Sequence, residues 1–132
     1  MPYAVITDGR YRSAIAAARA LGRAGYTVIV TQTRAESPKE PPVFSSRFAL
    51  GRWIEGSCLD REYPDRLETL LREYDHPVLL CIGAGTLQTV AAQRERFRAV
   101  SDFLVASSET LEILNDKEMV HRRAQEIGRA HV

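Results

Sequence analysis

The sequence predicts an α/β fold, an open and mostly parallel sheet with helices on both faces. Three observations carry this prediction. Short apolar, β-branched runs stand at Tyr3–Thr7, Tyr26–Thr31 and Val78–Ile82, and continuous apolar runs of this length suit strands buried on both faces. Between them lie segments with apolar residues at helical spacing. Glycine turns, Asp8-Gly9 and Gly83-Ala84-Gly85, follow the first and third runs, where a strand would turn into a helix. Strand and helix in alternation read as parallel strands joined by right-handed crossovers.

Each element follows from its residues. After the first strand, Ser13–Ala24 is alanine-rich, with Ile15, Ala18 and Leu21 or Gly22 on one face and Gly25 as a stop. Its small residues suit close packing on a sheet. Residues 33–47 contain Pro38, Pro41 and Pro42 among polar residues and read as a long loop. Phe48-Ala49-Leu50 reads as a short edge strand, with Trp53 and Ile54 anchoring the connection after it. Tyr63–Tyr74 is a helix with Leu67, Leu70, Leu71 and Tyr74 inward and Pro64 in its first turn. Pro77 ends it. Thr86–Phe97 follows as a helix with Leu87, Val90 and Ala91 inward, and Phe103-Leu104-Val105 as a fourth short strand. Two helices then close the chain, Glu109–Leu114 and Lys117–Ile127, with Ser107 or Ser108 and Asp116 as caps.

Composition narrows the function classes. The chain has 132 residues, 45% hydrophobic and 27% charged, with a net charge of +1. That is ordinary globular composition, and the balance points neither to nucleic acid nor to an anionic membrane. No apolar run approaches the roughly 20 residues of a membrane span. The start, MPYAVITDGR, has no secretory pattern, so a cytoplasmic location is expected. Cys58 and Cys81 share no metal-ligand spacing. Cys81 reads as a buried apolar thiol and Cys58 as a free loop thiol. His76, His121 and His131 read as exposed polar residues, and Asp65 and Glu68 as helix-surface partners for Arg66 and Arg72.

Ligands of such sheets sit beyond the carboxyl ends of the strands. Two loops meet that condition and open helices: Asp8 to Ser13, and Gly83 to Thr86. They are expected to lie side by side, with Asp8, Gly9, Arg10, Gly83, Gly85 and Thr86 facing a substrate. A dinucleotide fingerprint is not among the possibilities they favour, since Asp8-Gly9-Arg10-Tyr11-Arg12-Ser13 lacks two of the three glycines and no acid stands at Gln32 or Thr33. A tight strand-to-helix turn is the plainer reading of Gly83-Ala84-Gly85. Lys117 is one of only two lysines, with Lys39. It stands in the first turn of a helix, where the dipole opposes a cation. Contact with a phosphate would reverse that cost; an exposed lysine of no consequence is the alternative.

The stretch Leu111 to Gly128, LEILNDKEMVHRRAQEIG, resembles the opening of the ATP-grasp fold. Members such as carbamoyl-phosphate synthase, biotin carboxylase and other carboxylate–amine ligases carry Asp-Lys followed by a helix ending in Glu-x-Gly. Residues 1–106 are similar to the Rossmann-like pre-ATP-grasp domain, and 107–132 to the helical lead into the ATP-grasp domain. The resemblance implies a ligase that activates a carboxylate as an acyl phosphate for attack by an amine or ammonia, using ATP and Mg2+. Lys117 would hold nucleotide phosphates, and the turn at Gly9 would lie at the substrate end.

Family members usually continue past Gly128 with an apolar residue and prolines; here the text is Arg129-Ala130-His131-Val132. The expectation is therefore a truncation, with no catalytic residues of its own, no metal ligands and no tightly bound cofactor. Expected partners are a small carboxylate and an amine, with no nucleic acid, no membrane, and self-association left open. The alternative is a stand-alone α/β module for an anionic small ligand or for a separate ATP-grasp subunit. A reading frame that runs on for one or two further domains would separate the two.

Overall fold

The computed structural model describes residues 2–103. Its order is β1 (Tyr3–Ile6), α1 (Arg12–Arg23), β2 (Thr27–Thr33), a 3-10 turn (Pro42–Ser45), β3 (Ala49–Ile54), α2 (Tyr63–Arg72), β4 (Val78–Leu80), α3 (Ala84–Ala92) and α4 (Arg94–Arg98). The four strands form one sheet in the order β3-β2-β1-β4, and every pairing is parallel. A further parallel bridge joins Val78 to Asp102, so the chain arrives on the outer side of β4 where the fourth short strand was expected. Leu104 and Val105 of that strand lie outside the described residues.

Alternation along the strands divides the core into two layers. Val5, Ile29 and Leu79 face α2, α3 and α4 through Leu67, Leu71, Val90 and Phe97. Ile6, Val28 and Val30 face α1 and the 3-10 turn through Ala14, Ala18 and Val43. Both faces are thus covered, as the unbroken apolar runs require. The side chains of Leu67, Leu71 and Phe97 are fully buried, and each such burial stabilises by about 1.5–3 kcal/mol. At Ala14 and Ala18 a larger side chain would hold α1 off the sheet.

Gly25 ends α1 as expected. Its φ is +99°, the Tyr26 N–H donates to Leu21 O at 3.0 Å, and its own N–H donates to Gly22 O at 3.2 Å. This pair of bonds is the Schellman closure, which only a residue tolerant of the left-handed region forms cheaply.

β2 runs on to Thr33 and β4 stops at Leu80, and three further elements differ more from their sequence-based expectations. β3 runs on to Ile54, so Trp53 and Ile54 belong to the strand rather than to a connection. Gly51 and Arg52 interrupt the apolar pattern for tertiary reasons: the Phe44 ring lies where a Gly51 side chain would be, and Arg52 bonds Glu73 and Tyr74. The 33–47 loop contains the 3-10 turn, which buries Val43. The helix expected over Thr86–Phe97 starts at Ala84 and breaks at Gln93, whose φ of −121° and ψ of 42° leave the helical region. Beyond the break Phe97 enters the core, while Arg96 bonds both Glu68 and Asp65. Arg72 also bonds Glu68, whereas Arg66 turns instead to Asp60.

Candidate functional site at the carboxyl edge of the sheet

From β1 the chain builds outward through β2 to β3, then returns to place β4 on the other flank of β1. The loops leaving β1 and β4 therefore diverge from neighbouring strands. This is the switch point at which open α/β sheets form a ligand crevice. The two glycine turns meet there. The Gly83 N–H donates to Asp8 Oδ2 at 2.8 Å, the Thr86 hydroxyl donates to Asp8 Oδ1 at 3.2 Å, and the Thr7 hydroxyl donates to Asp8 Oδ2 at 2.5 Å. The Ile82 N–H reaches Thr7 Oγ1 at 3.3 Å.

Asp8 adopts a φ of +60°, a left-handed conformation that aspartate tolerates better than most residues. This bend carries its carboxylate under the start of α3. A Cβ on Gly83 would lie 2.7–2.9 Å from the Asp8 carboxyl atoms, so glycine is needed there for close approach. Tyr63, buried beneath, shares a 3.2 Å hydrogen bond with Thr86 Oγ1. Thr86 commits its single proton to Asp8, so the Tyr63 hydroxyl donates to Thr86. Burial pushes the Tyr63 hydroxyl far above its ordinary range, against the opposing pull of the Thr86 bond, so it remains a donor.

A second set of contacts lies over β2 and β3. The Gly9 N–H donates to Thr31 O at 3.0 Å, and the Arg10 N–H donates to Gln32 Oε1 at 2.9 Å. The Arg10 guanidinium donates to the Tyr11 hydroxyl and sits 4.6 Å from that ring's centre. Glu36 accepts from the Cys58 N–H at 2.7 Å and from the Ser57 hydroxyl at 2.8 Å. Burial would raise the Glu36 carboxyl, but hydrogen bonds from Cys58 and Ser57 outweigh it and hold the group below its usual range. Burial, and then the Glu36 carboxylate beside it, pushes the Cys58 thiol up to about 12. Burial and the charge of Asp8 do the same to Cys81, also to about 12. Neither cysteine is a thiolate at neutral pH, so neither has the form of a nucleophile.

Among the described residues three buried atoms of this set make no well-formed hydrogen bond: Arg10 Nη1, and Thr33 Oγ1 and Glu36 Oε2, of which the Thr33 hydroxyl still helps to lower the Glu36 carboxyl. Each such atom costs about 1–3 kcal/mol unless something meets it. They comprise a cationic donor, a hydroxyl and an anionic acceptor. Beside them, Gly85 and Cys58 help line a groove of about 480 Å³ between the 58–61 loop and α3.

The six residues singled out from sequence thus divide. Asp8, Gly83 and Thr86 form the internal lock; Gly9 and Arg10 tie the first turn to β2; Gly85 borders the groove. Gln32, Glu36, Cys58 and Tyr63 were not among the residues expected at the site. A glutamine inside a β-branched run was the available signal for Gln32. β2 extends to Thr33, which brings Glu36 within three residues of the strand end. Lys117, the helices Glu109–Leu114 and Lys117–Ile127, His121 and His131 lie outside the described residues. His76 stands at the mouth of β4, where it bonds Asp102 at 3.0 Å. Among the described residues no three His, Cys, Asp or Glu side chains converge as metal ligands, and no helix is long and apolar enough to cross a membrane.

Fold and rim together define an open, Rossmann-like parallel α/β unit whose strand order switches between β1 and β4. In comparison with known proteins, no family model and no curated protein matches the chain.

Proposed function

We propose that this chain is the N-terminal α/β part of an ATP-dependent carboxylate–amine ligase of the ATP-grasp type, and that its carboxyl rim receives the carboxylate substrate. The observation that carries the reading is the pairing of the Asp8-Gly9-Arg10 and Gly83-Ala84-Gly85 turns at the switch point. The unmet Arg10 Nη1 beside it supports an anionic group there. The similarity of Leu111–Gly128 to the ATP-grasp opening supports the ligase chemistry. In that chemistry ATP activates the carboxylate as an acyl phosphate, which an amine then attacks. Arg10 would orient the carboxylate, and Lys117 would hold nucleotide phosphates, with magnesium held by other parts of the ligase. In the protein that contains this chain, ADP release should require both a carboxylate and an amine. Lys117→Ala should lower kcat/KM for ATP by about tenfold to a hundredfold, with unchanged folding and only partial rescue by Lys117→Arg. Arg10→Gln should raise KM for the carboxylate with little effect on that for ATP. Substrate-independent ADP release, or ATP kinetics indifferent to Lys117→Ala, would refute the reading.

A further inference from the structure

A groove of about 490 Å³ runs along α1, lined by Arg19, Arg23, Arg47, Ser45, Ser46 and Phe48 among others. Among the described residues no carboxylate lines it. The ion pairs seen among the described residues use Arg34, Arg52, Arg66, Arg72 and Arg96, and none of the groove arginines. The sequence explains the imbalance. Residues 9–35 and 41–54, which build α1, the 3-10 turn and β3, contain arginine but neither aspartate nor glutamate. The chain as a whole is nearly neutral at +1, so positive charge is concentrated on this face by segregation rather than by excess.

Two of these arginines are also held. The Arg23 and Arg47 guanidiniums lie 5.6 Å and 5.0 Å from the centre of the Phe48 ring. Phe48 is itself seated against Gly22, where an added Cβ would meet its ring at 2.8 Å. Arg19 stands one helical turn from Arg23, on the same flank of α1. Guanidiniums fixed in this way lose less freedom on binding than free surface arginines and present forked donors suited to phosphate oxygens. The C-terminal half of a helix welcomes cations, which explains Arg23 but neither Arg47 across the groove nor the missing acids.

We propose that this groove binds a small ligand carrying a diphosphate unit. Two phosphates match three separated guanidiniums better than one, and the volume falls in the range of small-molecule sites. The site is independent of the rim and of the ligase reading.

The test is titration calorimetry of the 132-residue chain with inorganic pyrophosphate at low ionic strength, with orthophosphate and ADP as further arms. Pyrophosphate should bind one to one and at least about tenfold more tightly than orthophosphate. Binding should weaken as salt rises. Arg19→Gln and Arg47→Gln should each weaken it about tenfold, the loss of one charge-assisted contact, whereas Arg98→Gln and Arg10→Gln should leave it unchanged. ADP binding as well as pyrophosphate would identify a nucleotide as the source of the diphosphate; pyrophosphate alone would identify the free ion. Far-UV circular dichroism confirms that each variant is folded, and Arg47→Lys retains the charge should Arg47→Gln prove unstable. Absence of saturable binding, or binding lost in Arg10→Gln but retained in Arg19→Gln, would overturn the proposal.

Discussion

Two helices begin at the rim, and Asp8 meets the first N–H of each in a different way. α3 opens on Gly83, whose N–H is met by a carboxylate from within the chain, because Asp8 reaches across from β1 to accept it. α1 opens on Tyr11, whose N–H is met only by the Asp8 backbone carbonyl at 3.2 Å, with no acid in its first turn. In sequence both looked alike, a glycine turn feeding a helix and a place for an external anion. The difference lies in one residue's backbone. With φ at +60°, Asp8 turns its carboxylate away from α1, the helix it precedes, and under α3. An anion site at a helix start is therefore available only if the fold has not supplied the anion itself. By that measure the open position at this rim is on the Arg10 side, where polar atoms remain unmet.

The comparison can be broken hardest at Asp8. Asp8→Ala strands the Gly83 N–H and the Thr86 hydroxyl in a buried place and puts alanine at positive φ. Urea unfolding should show a loss of about 3 kcal/mol. Asp8→Asn keeps the backbone preference and one acceptor, so it should lose less than half as much. Equal losses would mean that the charge, not the bend, sets the lock. Gly83→Ala attacks the same contact from the other side, with a Cβ 2.7 Å from Asp8 Cγ. A cost of about 2 kcal/mol is expected from this overpacking, and a neutral result would show the seam to be loose.

At α1 the sign should reverse. Tyr11 has the extended backbone of an N-cap, so Tyr11→Asp should stabilise by about 0.5–1 kcal/mol. A loss of stability would mean that the Arg10–Tyr11 contact outweighs the missing cap. The smallest effect concerns Glu36, whose carboxyl is held below its ordinary 4.5 in the folded chain. A lowered folded value means stability that is complete above pH 4.5 and is lost as pH falls through the folded value. Glu36→Gln should therefore flatten the acid limb of a stability–pH curve and leave the neutral plateau shallower. An unchanged acid limb would exclude Glu36 from the rim's electrostatics.

Much of the fold was legible because its signals are local. Unbroken apolar runs, helical stripes at Leu67, Leu70 and Leu71, and Gly25 as a terminator each need only a few neighbouring residues to be read. Parallel pairing and the adjacency of the two glycine turns also follow, since short strands alternating with helices leave few topologies. What stayed hidden depends on partners far away in the chain. Gly51 looks like the end of a strand until Phe44 is seen over it. Arg52 looks exposed until it meets Glu73, and Gln93 reads as helix until α4 turns Phe97 into the core. The rim shows the same division. The sequence by itself determined that Asp8, Gly9, Gly83 and Thr86 stand at strand ends beside helix starts. Only the tertiary structure decided that the Asp8 carboxylate goes to the start of α3 and not to that of α1, because a 2.8 Å bond between residues 75 apart in the chain arises from the sheet order and leaves no trace in either neighbourhood alone.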